Sequence, residues 1–332
     1  LAKDFNASPR AAKAVVIQPD YELAGQFYTC YGYDVVREKP MTFRLKFNNF
    51  SDRSVMVAPA LQLPEGIEAV AFASAPFELP PAAAQTFEFT VKINDRLPAN
   101  TYTHFQVTDS NGNATPLAIS LRANERRSGE ILPLTPATQQ FDPDSLAAAD
   151  GWIELDKADW HGWQGGLIDC NIAAKFRVLY TADRLQLQVL VEDGIHSCNY
   201  PAGDAWNGDS VQFAVQLREA HDGLLNSSYH EFTAARSRDG EHLFRHIGAP
   251  AGLADDGTRL QLLEPAPGLW LYVIDLDKTA ISADRFGPEY LLGFSLLVNG
   301  SNGEVRDGYL EWGGGIAADK GIASFNELHF SR

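Results

Sequence analysis

The stretch from Glu192 to Asp209 holds Asp193, Asp204 and Asp209, with Trp206 between the last two. Carboxylate oxygens, with backbone carbonyls between them, are the donors calcium prefers, and such an ion braces a long loop. Asp193, Asp204 and Asp209 are therefore the candidate metal ligands and structural calcium the candidate cofactor, although their spacing is not that of an EF-hand. The same stretch is richer in Gly, Asp, His and aromatic residues than a plain connection requires, which marks it as the place to look for a site. Trp206 there either offers an indole face for stacking or anchors the loop onto the sheet beneath it.

All 6 tryptophans lie beyond Pro136. Sugar rings present apolar C–H faces to indole planes, so this enrichment suits a stacking surface. Trp152, Trp160 and Trp163 form a second cluster, read either as an exposed platform or as caps on an open sandwich end. Catalytic chemistry is poorly represented. A glycosidase needs two correctly spaced carboxylates, and Asp275 and Asp277 at a strand end are the one pair to inspect; solvated strand-end acids are the better reading. No nucleophile elbow, phosphate-binding or nicotinamide fingerprint is present. His104, His230, His242 and His246 lie on strand-like segments where packing or solvation accounts for them. Both methionines, Met41 and Met56, fall in the first half, so the second has no His/Met haem pair.

The elements that would position these residues are strands. Phe176, Val178 and Tyr180, then Leu185, Leu187, Val189 and Val191, then Val211, Phe213, Val215 and Leu217 alternate with polar neighbours, which is strand rather than helix periodicity. Lys175, Arg177, Gln186, Gln188, Glu192, Gln212 and Gln216 fill the alternate positions and predict one wetter face. Ala182-Asp183-Arg184 turns the first run into the second. Further strands are expected at His230–Ala235, Gly240–His246, Arg259–Leu263, Leu269–Asp275 and Leu291–Val298, with a short turn or helix between Lys278 and Asp284. Cys170 and Cys198 flank the first hairpin nearly opposite each other, either as a disulfide or as two unrelated small core residues; Cys30 has no evident partner.

The order Ala174-Lys175-Phe176 to Tyr180, Leu187 to Asp193, Trp206-Asn207-Gly208-Asp209-Ser210-Val211, Leu291 to Asn299 and Tyr309-Leu310-Glu311-Trp312 resembles the family 9 carbohydrate-binding module, a DOMON-like β-sandwich, over residues 138–332. The resemblance implies that Trp206 is one aromatic wall of a sugar site and that Gln212 contacts a sugar hydroxyl. It further implies a basic residue and an amide near Thr233 and Ala235, which cannot serve, while Arg236 and Arg238 are out of register. It implies a second aromatic wall after Trp312, where the residues from Gly313 to Ile322 include no aromatic. Family members hold structural calcium.

Residues 1–124 read as an immunoglobulin-like sandwich, with strands at Met41–Phe47, Val55–Leu63, Phe87–Ile93 and Tyr102–Thr108 closed by Asn, Pro and Gly turns. Asn48-Asn49-Phe50-Ser51-Asp52 and Leu97-Pro98-Ala99-Asn100-Thr101-Tyr102 are similar to accessory domains beside bacterial glycosidase catalytic modules. Residues 125–137 read as an extended linker. With 332 residues and a net charge of −16, two domains fit, and anionic nucleic acid or membrane surfaces are disfavoured partners. The expectation is an all-β, non-catalytic chain: the carbohydrate-binding part of a larger secreted, periplasmic or cell-surface carbohydrate-active protein, partnered by a polysaccharide or oligosaccharide and an adjacent catalytic domain. The alternative is a pair of packing sandwiches that bind no sugar.

Overall fold

The computed structural model describes residues 14–19, 32–115, 118–123, 125–163, 170–219, 228–255, 257–317 and 320–331. They form two compact units, one ending at Glu125 and one beginning at Arg126. Both are all-β.

The first unit contains β1 (Val15–Pro19), β2 (Gly32–Val35), β3 (Pro40–Asn49), β4 (Val55–Val57), β5 (Pro59–Gln62), β6 (Ile67–Phe72), β7 (Phe77–Leu79), β8 (Ala84–Ile93), β9 (Thr103–Asp109) and β10 (Ile119–Ala123). They build two four-stranded sheets, β1-β3-β8-β6 and β2-β10-β9-β5, with β4 and β7 as a separate pair. Alternation explains the packing: Met41, Phe43, Leu45 and Phe47 of β3 join Phe89 and Val91 of β8 in the core, along with Val107 and Leu121. The single strand expected over Val55–Leu63 is instead two. Val55–Val57 pairs with β7 and Pro59–Gln62 with β9. Pro59 has no N–H to continue a ladder, and the Ala58 N–H turns to Ser110 Oγ. His104 is exposed, with Nδ1 2.6 Å from Ser120 Oγ.

The second unit contains β11 (Ser128–Pro133), a short α1 (Pro143–Ala148), β12 (Ile153–Leu155), β13 (Trp160–Gly162), β14 (Ala173–Tyr180), β15 (Arg184–Glu192), β16 (Ser210–Glu219), β17 (His230–Ser237), β18 (Gly240–Ile247), β19 (Gly252–Leu253), β20 (Thr258–Ala266), β21 (Leu269–Asp277), β22 (Tyr290–Ser301), β23 (Arg306–Trp312) and β24 (Asn326–Phe330). The main path runs β19-β18-β17-β16-β22-β24-β11-β14-β15-β21-β20, with β12 on β14, and β13 reaching β22 through β23. The two arms share one core, in which Phe176 of β14 stacks on Phe294 of β22 at 5.6 Å and meets Trp312 of β23 at 5.1 Å.

Two expectations change. The linker over 125–137 contains β11, which runs parallel to both β24 and β14 and bridges the two arms. Its polar approach is paired: Arg126 lies 3.8 Å from Glu327 and Arg127, half exposed, 2.9 Å from Asp159, while Ile131 is fully buried. The wetter face of β14 and β15 is also buried. Arg177 donates to Gln188 Oε1 at 2.8 Å, Gln188 to Gln186 at 2.6 Å and Gln186 to Asp275 at 3.1 Å. The segment from Thr138 through α1 to Trp152 covers that network, with Leu146 packed on Leu190, Leu271 and Val273. Polar side chains survive there because they bond one another.

Candidate functional site

The long β15–β16 loop is pinned at both ends before it presents anything. Asp209, at the start of β16, accepts from the Ser197 N–H at 2.6 Å, the Ser301 N–H at 2.7 Å and Ser301 Oγ at 3.1 Å. Asp193, at the end of β15, accepts from the Ile195 N–H at 2.9 Å. Gly208 permits close passage, since a side-chain carbon there would lie 2.9 Å from the Cys198 Cα. These anchors set a 3₁₀ turn, Ala202–Asn207, that carries Trp206. The Ala202 N–H donates to Asp239 Oδ2, and Ala205 is buried.

Beside Trp206 opens a groove of about 330 Å³, lined also by Trp163, Gln212, Glu231, His246, Arg306 and Lys320. The floor comes from neighbouring strands, with Gln212 on β16, Glu231 on β17 and His246 on β18. Trp163 follows β13, and Arg306 begins β23. Trp163 and Trp206 are half-buried, with ring centres 5.8 Å apart and planes at 61°, so they form an aromatic corner rather than two parallel walls. Asn299 donates to Gln212 Oε1 at 3.2 Å and fixes that amide.

Polar groups in the groove are incompletely paired. Lys320 Nζ lies 2.5 Å from Glu231 Oε1, while Glu231 Oε2 is buried without a partner. Burial pushes the Glu231 carboxyl up, against the Lys320 hydrogen bond. His246 Nε2 is 2.8 Å from Thr233 Oγ1, and burial pulls its imidazole down. Arg306 is 5% exposed and clamped by rings, with its guanidinium carbon 4.4 Å from the Trp163 centre, 4.6 Å from Tyr309 and 5.7 Å from Trp206. Its Nε and Nη2 are enclosed with no acceptor. Burial lowers its pKa to about 10, the Tyr309 and Glu311 charges opposing.

Trp206 and Gln212 thus lie in one groove. The second aromatic comes from Trp163 rather than from the segment after Trp312, and the cations are Arg306 and Lys320 rather than anything near Thr233 and Ala235, both of which are buried. The remaining members of the first tryptophan cluster go elsewhere: Trp152 donates to Leu146 O at 3.1 Å, and Trp160 packs on the main core. A tryptophan within loop residues before β14 was the available signal for Trp163. Arg306 had none, because its position depends on the β22–β23 register.

The three acids assigned to calcium do not converge. Asp193 and Asp209 gather with His196, within 4.8 Å, whereas Asp204 is exposed on the 3₁₀ turn. His196 Nδ1 is 3.4 Å from Asp193 Oδ2 and its Nε2 2.9 Å from the Tyr272 hydroxyl. Calcium prefers oxygen donors, and here it would meet an imidazole and carboxylates already accepting loop N–H groups. This set does not fit the ion. Cys170 and Cys198 are free thiols, and each donates to a backbone carbonyl, Ile172 O and Ala205 O; their local bonds draw them into separate turns. Asp275 accepts from Gln186, and Asp277 caps the Lys278–Ile281 turn, so neither acid is poised for catalysis.

No family model and no curated protein matches the chain. Among solved structures it is similar to a family 9 carbohydrate-binding module from Caldicellulosiruptor kristjanssonii in complex with cellotriose, at 12% identity over 62% of this chain and 94% of that one, with a TM-score of 0.44. A family 9 module from the same organism in complex with glucose gives 11% identity, 62% and 96% coverage, and a TM-score of 0.44. No described helix is long and apolar enough to cross a membrane.

Proposed function

We propose that the second unit binds saccharide without transforming it, in the groove beside Trp206, as the carbohydrate-binding portion of an exported carbohydrate-active protein. The observation that carries this is the aromatic corner of Trp163 and Trp206 set over a polar floor. Indole faces take the C–H surface of a sugar ring, while Gln212, Glu231 and Lys320 offer both acceptors and donors to its hydroxyls. Glycoside hydrolysis needs two flanking carboxylates, and Glu231 is the one carboxylate among the described lining residues. That favours holding a sugar over cleaving it.

Tryptophan fluorescence of the whole chain, titrated with mono- and oligosaccharides, tests this. A saturable change is expected, weakened about tenfold or more by Trp206→Ala, equivalent to about 1.4 kcal/mol. A flat response across the panel from folded protein leaves the packing role as the better account.

A further inference from the structure

We propose that the saccharide taken by this groove is acidic, and that the Arg306 guanidinium receives the carboxylate of a uronic-acid residue. This rests on the reading that the groove binds saccharide at all. Three rings hold the Arg306 side chain, its Nε and Nη2 have no acceptor, and it lines the groove. Enclosed guanidinium N–H groups left without an acceptor are costly to keep, so the missing acceptor points to one supplied from outside.

Charge narrows the class. Lys320 is spoken for by Glu231, 2.5 Å away, and His246 is held towards its neutral form by burial. Among the described lining residues Arg306 is then the cation with no carboxylate on its N–H groups, its burial only partly offset by the charges of Tyr309 and Glu311, in a chain whose net charge is −16. A neutral sugar hydroxyl could accept from it but would leave the charge unanswered. A carboxylate answers both, because its two oxygens can take parallel bonds from the guanidinium fork. The aromatic corner and the unpaired Glu231 Oε2 remain for the ring face and a hydroxyl donor.

The test compares matched pairs that differ at the acid: glucuronic acid with glucose, galacturonic acid with galactose, mannuronic acid with mannose, and their short oligomers, plus glucose 6-sulfate. Binding is read by fluorescence or calorimetry on the full chain. At least one uronate should bind about ten times more tightly than its neutral counterpart. Arg306→Gln should bring the two together, and Arg306→Lys, which keeps the charge but loses the fork, should retain part of the preference. Circular dichroism reports folding of each variant. Neutral sugars binding as well as their uronates, or a uronate preference that survives in folded Arg306→Gln, overturns the inference while leaving the saccharide reading intact. Equal binding of the sulfate overturns the carboxylate assignment. No binding by either set defeats the inference and the underlying reading together.

Discussion

Two arginines of the second unit are buried against tryptophans, and the fold treats them oppositely. Arg177 lies 4.7 Å from the Trp152 ring centre and spends its donors on Gln188 Oε1, Asp150 O and Thr138 O. Arg306 stacks on Trp163 at 4.4 Å, and its Nε and Nη2 meet no acceptor. A planar cation on an indole is a packing solution in both places. What separates them is whether the N–H groups are satisfied: the first is covered by its own chain, and the second opens on a groove.

The largest effect that can break this contrast is on stability. Arg177→Met should cost about 3 kcal/mol, because it strands the buried Gln188 Oε1 and takes a donor from Asp150 O, while Thr138 O keeps its bond from Gln188. Arg306→Met should change stability by less than about 1 kcal/mol, the lost cation–π contacts being set against relief of buried N–H groups that have no acceptor. Urea unfolding followed by circular dichroism measures both. Equal losses would erase the distinction and make Arg306 a structural residue.

The two sides were unequally legible. Alternation in β14, β15 and β16 revealed the strands, and the Trp206 to Val211 run marked the loop end and Gln212. Alternation could not tell that Arg177, Gln186 and Gln188 face a covered polar network, since a buried polar face and a wet one have the same period. The groove draws on residues far apart in sequence: Trp163 after β13, Arg306 on β23 and Lys320 beyond it. Their meeting is decided by strand register, as where Asn299 pairs with Tyr309 and Gly300 with Gly308. Asp193 and Asp209 could be expected to approach because they end and begin facing strands, but a 3₁₀ turn between them carries Asp204 away.

Carboxylates sharpen the same contrast at the next scale. Burial would push Glu327 up, yet its His329 hydrogen bond and the charges of Arg218 and Arg126 hold it at about 2. Burial drives Asp209 up to about 7, with the Asp193 charge adding to it, and drives Glu311 to about 7 against only partial opposition from Arg306 and Arg127. From about pH 4 to pH 7 the folded chain keeps protons on Asp209 and Glu311 that the unfolded chain has released. Their contribution is therefore complete below the unfolded pKa and is lost as pH rises through about 7, at up to about 1.4 kcal/mol per pH unit for each group. Glu327 runs the other way: its contribution is present above the ordinary value of 4.5 and is lost as pH falls towards about 2. Denaturation midpoints across pH should show a flatter slope for Asp209→Asn in the upper window and for Glu327→Gln in the lower. Unchanged slopes would remove unpaired burial as the cause in the first case and pairing as the cause in the second.

The smallest effect comes from an arginine that is visibly paired. In the first unit Arg44 Nε lies 2.8 Å from Glu88 Oε1, with side chains 44% and 56% exposed. Arg44→Ala should cost under about 0.5 kcal/mol, because water replaces the partner nearly as well. Arg306→Met is also expected to be small, but by cancellation of opposed contributions rather than by their weakness, and salt separates the two cases. Raising ionic strength from about 0.1 M to about 1 M shortens the screening length from about 10 Å to about 3 Å in water. It should erase what remains of the Arg44 effect and leave the difference between wild type and Arg306→Met nearly unchanged, since short-range ring contacts and burial, which salt screens little, set that difference. An Arg306 difference that faded with salt would mean that solvent already satisfies it, and the contrast with Arg177 would then be one of exposure rather than of a missing partner.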